Sequence, residues 1–280
     1  MAELKLVSEH ACFGGVQRFY QHESAETGGP MKFAAFLPPQ AKAGRVPVLY
    51  FLAGLTCTEE NFTVKAHAQQ TAAELGLMLI APDTSPRTPR LPGDADSWDF
   101  GYSAGFYVDA TQQPWAAHYR MCSYVARELP AVVAQHLPAA PGMNGICGHS
   151  MGGHGALTLA LRNPDFYRSV SAFAPIAAPS QCPWGRKAFG NYLGADTAAW
   201  LDYDATALVA RRPHPGKILI DQGGADPWLQ EQLLPEKFAA AARESGQPLE
   251  LRMHDGYDHG YYFIQTFIAD HLRHHAARLR

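Results

Sequence analysis

The sequence has no paired-cysteine pattern, no long apolar run and no marked excess of either charge. Its five cysteines, Cys12, Cys57, Cys122, Cys147 and Cys182, are scattered, odd in number and never spaced C-x-x-C. That spacing excludes a disulfide framework or a cysteine-based zinc site and points to reduced thiols. Met1-Ala-Glu-Leu-Lys5 lacks the basic-then-apolar layout of a secretory leader, and no segment approaches a membrane span, so a cytoplasmic protein is expected. A formal net charge of −3 gives no general attraction for nucleic acid or an anionic membrane. H-E-x-x-H is absent, and neither a metal nor another cofactor is expected.

What is present is an ordinary globular balance. With 280 residues, 47% apolar and 18% charged, the chain can bury a large core in one domain spanning 1–280. Strands are expected at 4–10 and 16–21 around a Gly14-Gly15 turn, then at 32–37 and 46–52. Val46 to Leu52 is almost wholly apolar, as in a strand buried on both faces. Strand and helix patterns then alternate: helix 66–75, strand 77–81, helix 119–136 with a break or kink at Pro130, strand 144–147 and helix 152–162. Strands at 169–173 and 217–221, a helix at 231–244, a strand at 249–254 and a helix at 261–275 complete the series. Such alternation predicts an α/β fold with a mostly parallel sheet and helices on both faces. Asp83 to Pro114 and Ile176 to Arg212 show no clear period, and long ordered loops of this kind are expected to wall a functional cleft.

Gly148-His149-Ser150-Met151-Gly152 is G-x-S-x-G between an apolar strand and a small-residue helix. In that context the serine occupies a strained strand-to-helix turn that projects its hydroxyl, the arrangement of an α/β-hydrolase nucleophile. Glycines at both ends leave room for neighbouring backbone. An idle serine in a glycine-rich helix cap would show the same five residues, so the assignment depends on a base and an acid in the right order.

A serine nucleophile needs a base and an orienting carboxylate, in the chain order Ser, acid, His. His259 follows the last predicted strand and precedes the closing helix, at the sheet edge where the serine lies. Of the other histidines, His149 is taken as a neighbour of the serine, His154 as structural, and His271, His274 and His275 as solvated on the terminal helix. Asp226 lies on the loop beyond the strand at 217–221 and is the expected acid. Asp221, at the strand end, is the alternative, and Asp258 would have to fold back sharply to reach its neighbour. The oxyanion donors are expected to be the amides of Met151 and Leu55, the latter on the turn allowed by Gly54.

Phe51-Leu-Ala-Gly-Leu-Thr-Cys-Thr-Glu-Glu-Asn-Phe62, Asp96-Ser-Trp-Asp-Phe100, Gly105-Phe-Tyr-Val-Asp-Ala-Thr111, Gly148-His-Ser-Met-Gly-Gly-His154 and Cys182-Pro-Trp-Gly185 together resemble the S-formylglutathione hydrolase (esterase D) family. The blocks run from about residue 50 to 263 with similar spacing; Tyr102 and Ser103 stand where smaller residues are usual. The resemblance implies hydrolysis of the small-molecule thioester S-formylglutathione to glutathione and formate in formaldehyde detoxification. It also implies a triad of Ser150, Asp226 and His259, oxyanion donors at Leu55 and Met151, action on small activated esters, and a homodimer. A general carboxylesterase is the alternative function. A formyl group calls for a small acyl pocket, for which Trp184 and Phe106 are candidates. The carboxylates of glutathione call for cations, sought among Lys65, Arg87, Arg90, Arg186 and Lys187. Cys57, two residues past Leu55, is expected to face the substrate without acting as nucleophile.

Overall fold

The computed structural model describes residues 3–280. Their strands form one nine-stranded sheet in the order β1-β2-β3-β5-β4-β6-β7-β8-β9. The N-terminal part is antiparallel: β1 (Lys5–Cys12), β2 (Gly15–Ser24) and β3 (Gly29–Leu37), with β3 pairing antiparallel to β5 (Met78–Pro82). The first hairpin turns one residue earlier than expected, because Phe13 (φ 48°) and Gly14 (φ 73°) are both left-handed. Two left-handed central residues match the right-handed twist of the strands they join.

From β4 (Val46–Leu52) onward the sheet is parallel, through β6 (Ala139–His149), β7 (Tyr167–Phe173), β8 (Ile218–Gly223) and β9 (Leu249–His254). Every residue of β5 and β8 is buried, as is all of β4 except Pro47, which is what their unbroken apolar runs require. The chain leaves β4 for β5 on one side and returns to β6 on the other. The loops after β4 and β6 therefore diverge and leave a crevice at the carboxyl ends of the strands.

Helices fill the connections. α1 (Glu59–Lys65), which was not expected, opens on a capping box of Thr58 and Asn61; left-handed His67 (φ 55°) separates it from α2 (Gln69–Leu75), so the helix expected over 66–75 starts three residues later. α3 (Met121–Ser123) runs through a π turn at Tyr124–Glu128 into α4 (Leu129–His136). Pro130 sits in the first turn of α4, where the widened turn absorbs the amide that proline cannot donate. α5 (Met151–Arg162) follows the nucleophile motif. The stretch 176–212 is not an irregular loop: it holds α6 (Pro183–Tyr192), α7 (Thr197–Trp200) and α8 (Ala205–Arg211), too short for a period to emerge. Residues 83–114 contain no helix, only isolated bridges such as Ser97 with Phe100. α9 (Pro235–Ser245) starts later than expected, because Leu234 is left-handed (φ 51°) ahead of Pro235.

α10 (Tyr261–Ala276) corrects another expectation. His271 and His275 are fully buried and His274 is half-buried. The helix packs on β7 and β8, and the partners come from those strands. Ser171 Oγ lies 2.8 Å from both His271 Nδ1 and His275 Nε2, while Ser169 Oγ is 2.7 Å from His275 Nδ1. Burial pushes His275 well below the ordinary imidazole range and lowers His274 to about 4. Both stay neutral in the fold while their unfolded counterparts, near 6.5, take up protons. Stability should therefore fall as pH drops from about 6.5 towards 4, above the range where carboxylates titrate. The urea midpoint is expected to decrease between pH 7 and pH 5 at constant m; a midpoint independent of pH over that interval would show these imidazoles do not control acid stability.

Candidate active site

Ser150 sits between β6 and α5 with φ 58° and ψ −119°, a left-handed backbone that L side chains rarely adopt. Its amide donates to the Phe173 carbonyl at 3.0 Å, and its carbonyl accepts from His154 N (3.0 Å) and Ile176 N (3.2 Å), so three segments hold the strained turn. Gly152 has no alternative: a Cβ there would collide with the carbonyl of Leu52 at the end of β4. That close approach brings the loop after β4 against the serine.

His259 lies on the turn between β9 and α10, and Asp226 lies on the turn after β8. His259 Nδ1 is 2.6 Å from Asp226 Oδ2. The Asp226 side chain is fully buried, and it also accepts hydrogen bonds from Trp228 N (2.9 Å) and Gln222 Nε2 (3.2 Å). A carboxylate held from three directions fixes the imidazole ring and its tautomer. Asp221 is committed elsewhere. Arg252 Nε and Nη2 donate to its two oxygens at 2.6 Å each, and His271 Nε2 lies 3.3 Å away. Burial opposes its ionisation, but the hydrogen bonds from His271 and Arg252 win and hold its carboxyl well below the usual range. Asp258 accepts from Gly260 N at 2.8 Å and braces the turn.

Ser150 and His259 line one cavity of about 190 Å³ together with Gly54, Leu55, Thr56, Cys57, His149 and the indoles of Trp98, Trp184 and Trp228. Neither the Leu55 nor the Met151 amide donates to an acceptor among the described residues, as an oxyanion site requires. Cys57 is buried, and burial raises its thiol pKa, which leaves it protonated at neutral pH and a poor nucleophile. Cys147 lies in the core, its thiol pushed up to about 12 by burial. His149 is buried with its ring centroid 4.5 Å from that of His259; burial drives its pKa well down, so it stays neutral beside the base.

Trp184 joins the cavity wall as expected, but Phe106 does not. Phe106 is fully buried, and its carbonyl accepts from His154 Nε2 at 2.9 Å, so it anchors α5 from behind. Its backbone is left-handed (φ 47°), a fact no sequence pattern announces. The indoles missed in the sequence are Trp98, 5.5 Å from Trp184, and Trp228, 4.8 Å from it. The second had a signal, since it stands two residues past the expected acid. Of the cations, Arg87 is tied to Asp83, Lys187 to Asp99, Arg186 to the Ser180 carbonyl, and Arg90 stacks 4.2 Å over Tyr102. Lys65 lies outside the serine cavity, in a second one beside Tyr261.

A buried carboxylate on an imidazole that shares a cavity with a strained serine, at the carboxyl edge of a mostly parallel sheet, is the arrangement of an α/β-hydrolase. The family model described as "Putative esterase" matches residues 24–274. The S-formylglutathione hydrolase of Rattus norvegicus is 56% identical over 279 residues, 99% of each chain, and that of Paracoccus denitrificans 55% over 273 residues, 98% of this chain and 97% of the other. The structure of an S-formylglutathione hydrolase from Agrobacterium tumefaciens superposes with a TM-score of 0.96 at 48% identity, covering 98% of this chain and 99% of that one. The chain belongs to the S-formylglutathione hydrolase family of esterases.

Proposed function

We propose that this enzyme hydrolyses S-formylglutathione to glutathione and formate, in formaldehyde detoxification, with Ser150 as nucleophile, His259 as base and Asp226 as its orienting acid. The single observation that carries the mechanism is the 2.6 Å contact between His259 and a buried Asp226 on the edge where Ser150 stands. His259 takes the Ser150 proton as Oγ attacks the formyl carbon, and the oxyanion settles on the Leu55 and Met151 amides. The C–S bond breaks and glutathione leaves with the proton His259 holds. Water, deprotonated by His259, then attacks the formyl ester and releases formate and the free serine.

The small cavity with its three indoles supports a short acyl group, and the full-length likeness to S-formylglutathione hydrolases supports this thioester. The reading includes a homodimer, and scattered free thiols support a reducing, cytoplasmic setting. No helix among the described residues is long and apolar enough to cross a membrane. Steady-state kcat/KM for S-formylglutathione is expected to exceed that for 4-nitrophenyl acetate. A preference for the ester would favour a general carboxylesterase instead.

A further inference from the structure

A second cavity, of about 450 Å³, opens on the far side of the segment that carries His259. Lys65, at the end of α1, and His67 face Tyr261, Tyr262 and Gln265 of α10 across it, with Val64 at its side. No carboxylate stands in this wall. The Lys65 ammonium lies 5.8 Å from the centre of the Tyr261 ring. Tyr261 stands between the two cavities: it lines the second, and its ring lies 6.2 Å from that of His149, which lines the serine cavity.

We propose that this cavity is a subsite for a carboxylate of the leaving thiol, held by Lys65. The inference rests on the thioester function above and names where the rest of the substrate sits. Glutathione carries its sulfur mid-chain with a carboxylate at each end, and one extended residue to either side of the cysteine spans about 3.5 Å, so an arm of one to two residues reaches about 7 Å from the serine cavity. Tyr261 is within that reach, its ring 6.2 Å from that of His149 in the wall of the serine cavity. A lysine ammonium donating to a carboxylate makes a charge-assisted hydrogen bond, stronger than one between neutral groups. The other cations considered near the cleft are already spent on protein partners, whereas among the described residues Lys65 meets an aromatic face and no carboxylate.

The test is the ratio of kcat/KM for S-formylglutathione to that for 4-nitrophenyl acetate, which has no carboxylate. Lys65→Ala is expected to lower that ratio about tenfold through KM, Lys65→Glu to lower it further, and Lys65→Arg to restore most of it. Raising the salt concentration should increase KM for S-formylglutathione in the wild type but not in Lys65→Ala. Lys65 is exposed, so the variants should fold, as circular dichroism would verify. An unchanged ratio in both Lys65→Ala and Lys65→Glu overturns the subsite. If wild type itself prefers the ester, it is the substrate assignment that fails; if wild type prefers the thioester while the variants keep that preference, the subsite alone fails.

Discussion

Ser150→Ala is expected to lower kcat by about 10⁴- to 10⁶-fold while leaving the fold intact. The loss is large because the serine is the atom donor of the covalent step, and the residual rate comes only from the oxyanion donors and binding. The fold survives because the left-handed turn is held by backbone contacts to Phe173, His154 and Ile176, none of which uses the hydroxyl. Alanine keeps the same Cβ, so the cost of the strained φ of 58° does not change. A fluorophosphonate probe should label the wild type and not the variant. More than a tenth of the activity remaining, with an unchanged melting temperature, would rule out Ser150 as nucleophile.

The second large effect separates two carboxylates on the same strand and loop. Asp226→Asn should cost about 10⁴ in kcat with a smaller effect on stability, since the amide oxygen can still accept from Trp228 N, while the NH2 that replaces the other oxygen meets Gln222 and His259 and favours the wrong tautomer of the imidazole. Asp221→Asn should do the opposite. Its carboxylate is fully buried under a bidentate Arg252, and breaking a buried pair from one side costs about 3 to 5 kcal/mol. Catalysis should persist near wild-type levels in whatever fraction remains folded. Kinetics together with urea unfolding on both variants decides the matter: a kcat collapse in the stable Asp221→Asn protein, with Asp226→Asn active, would reverse the assignment.

The parts legible in the sequence were those whose physics is local. Val46 to Leu52 reads as a doubly buried strand because both faces are apolar, and it is one. Ser150 reads as a strained turn because glycines flank it at the spacing that backbone crowding demands. Asp226 was preferred to Asp221 because loops, not strand interiors, present side chains at the sheet edge, and the geometry places Asp226 on His259. What was illegible depends on partners far along the chain. His271 and His275 look solvated on a polar helix end until Ser169, Ser171 and Asp221, some hundred or fifty positions earlier, are seen beneath them. Phe106 and Trp184 are both aromatic residues in long connections, yet one is buried in the core and the other lines the cavity, a difference no local pattern carries. The three short helices within 176–212 each last too few turns to imprint a period.

The two long connections described above also divide inheritance. Ser150, Asp226 and His259 hang from the ends of β6, β8 and β9, whose positions are set by the sheet. Trp98 and Trp184, which shape the acyl cavity, come from the connections at 83–114 and 176–212, pinned to each other by Lys187 and Asp99. Mutation can therefore redraw the cavity without disturbing the reacting groups, and a lineage can change diet while its chemistry stands still.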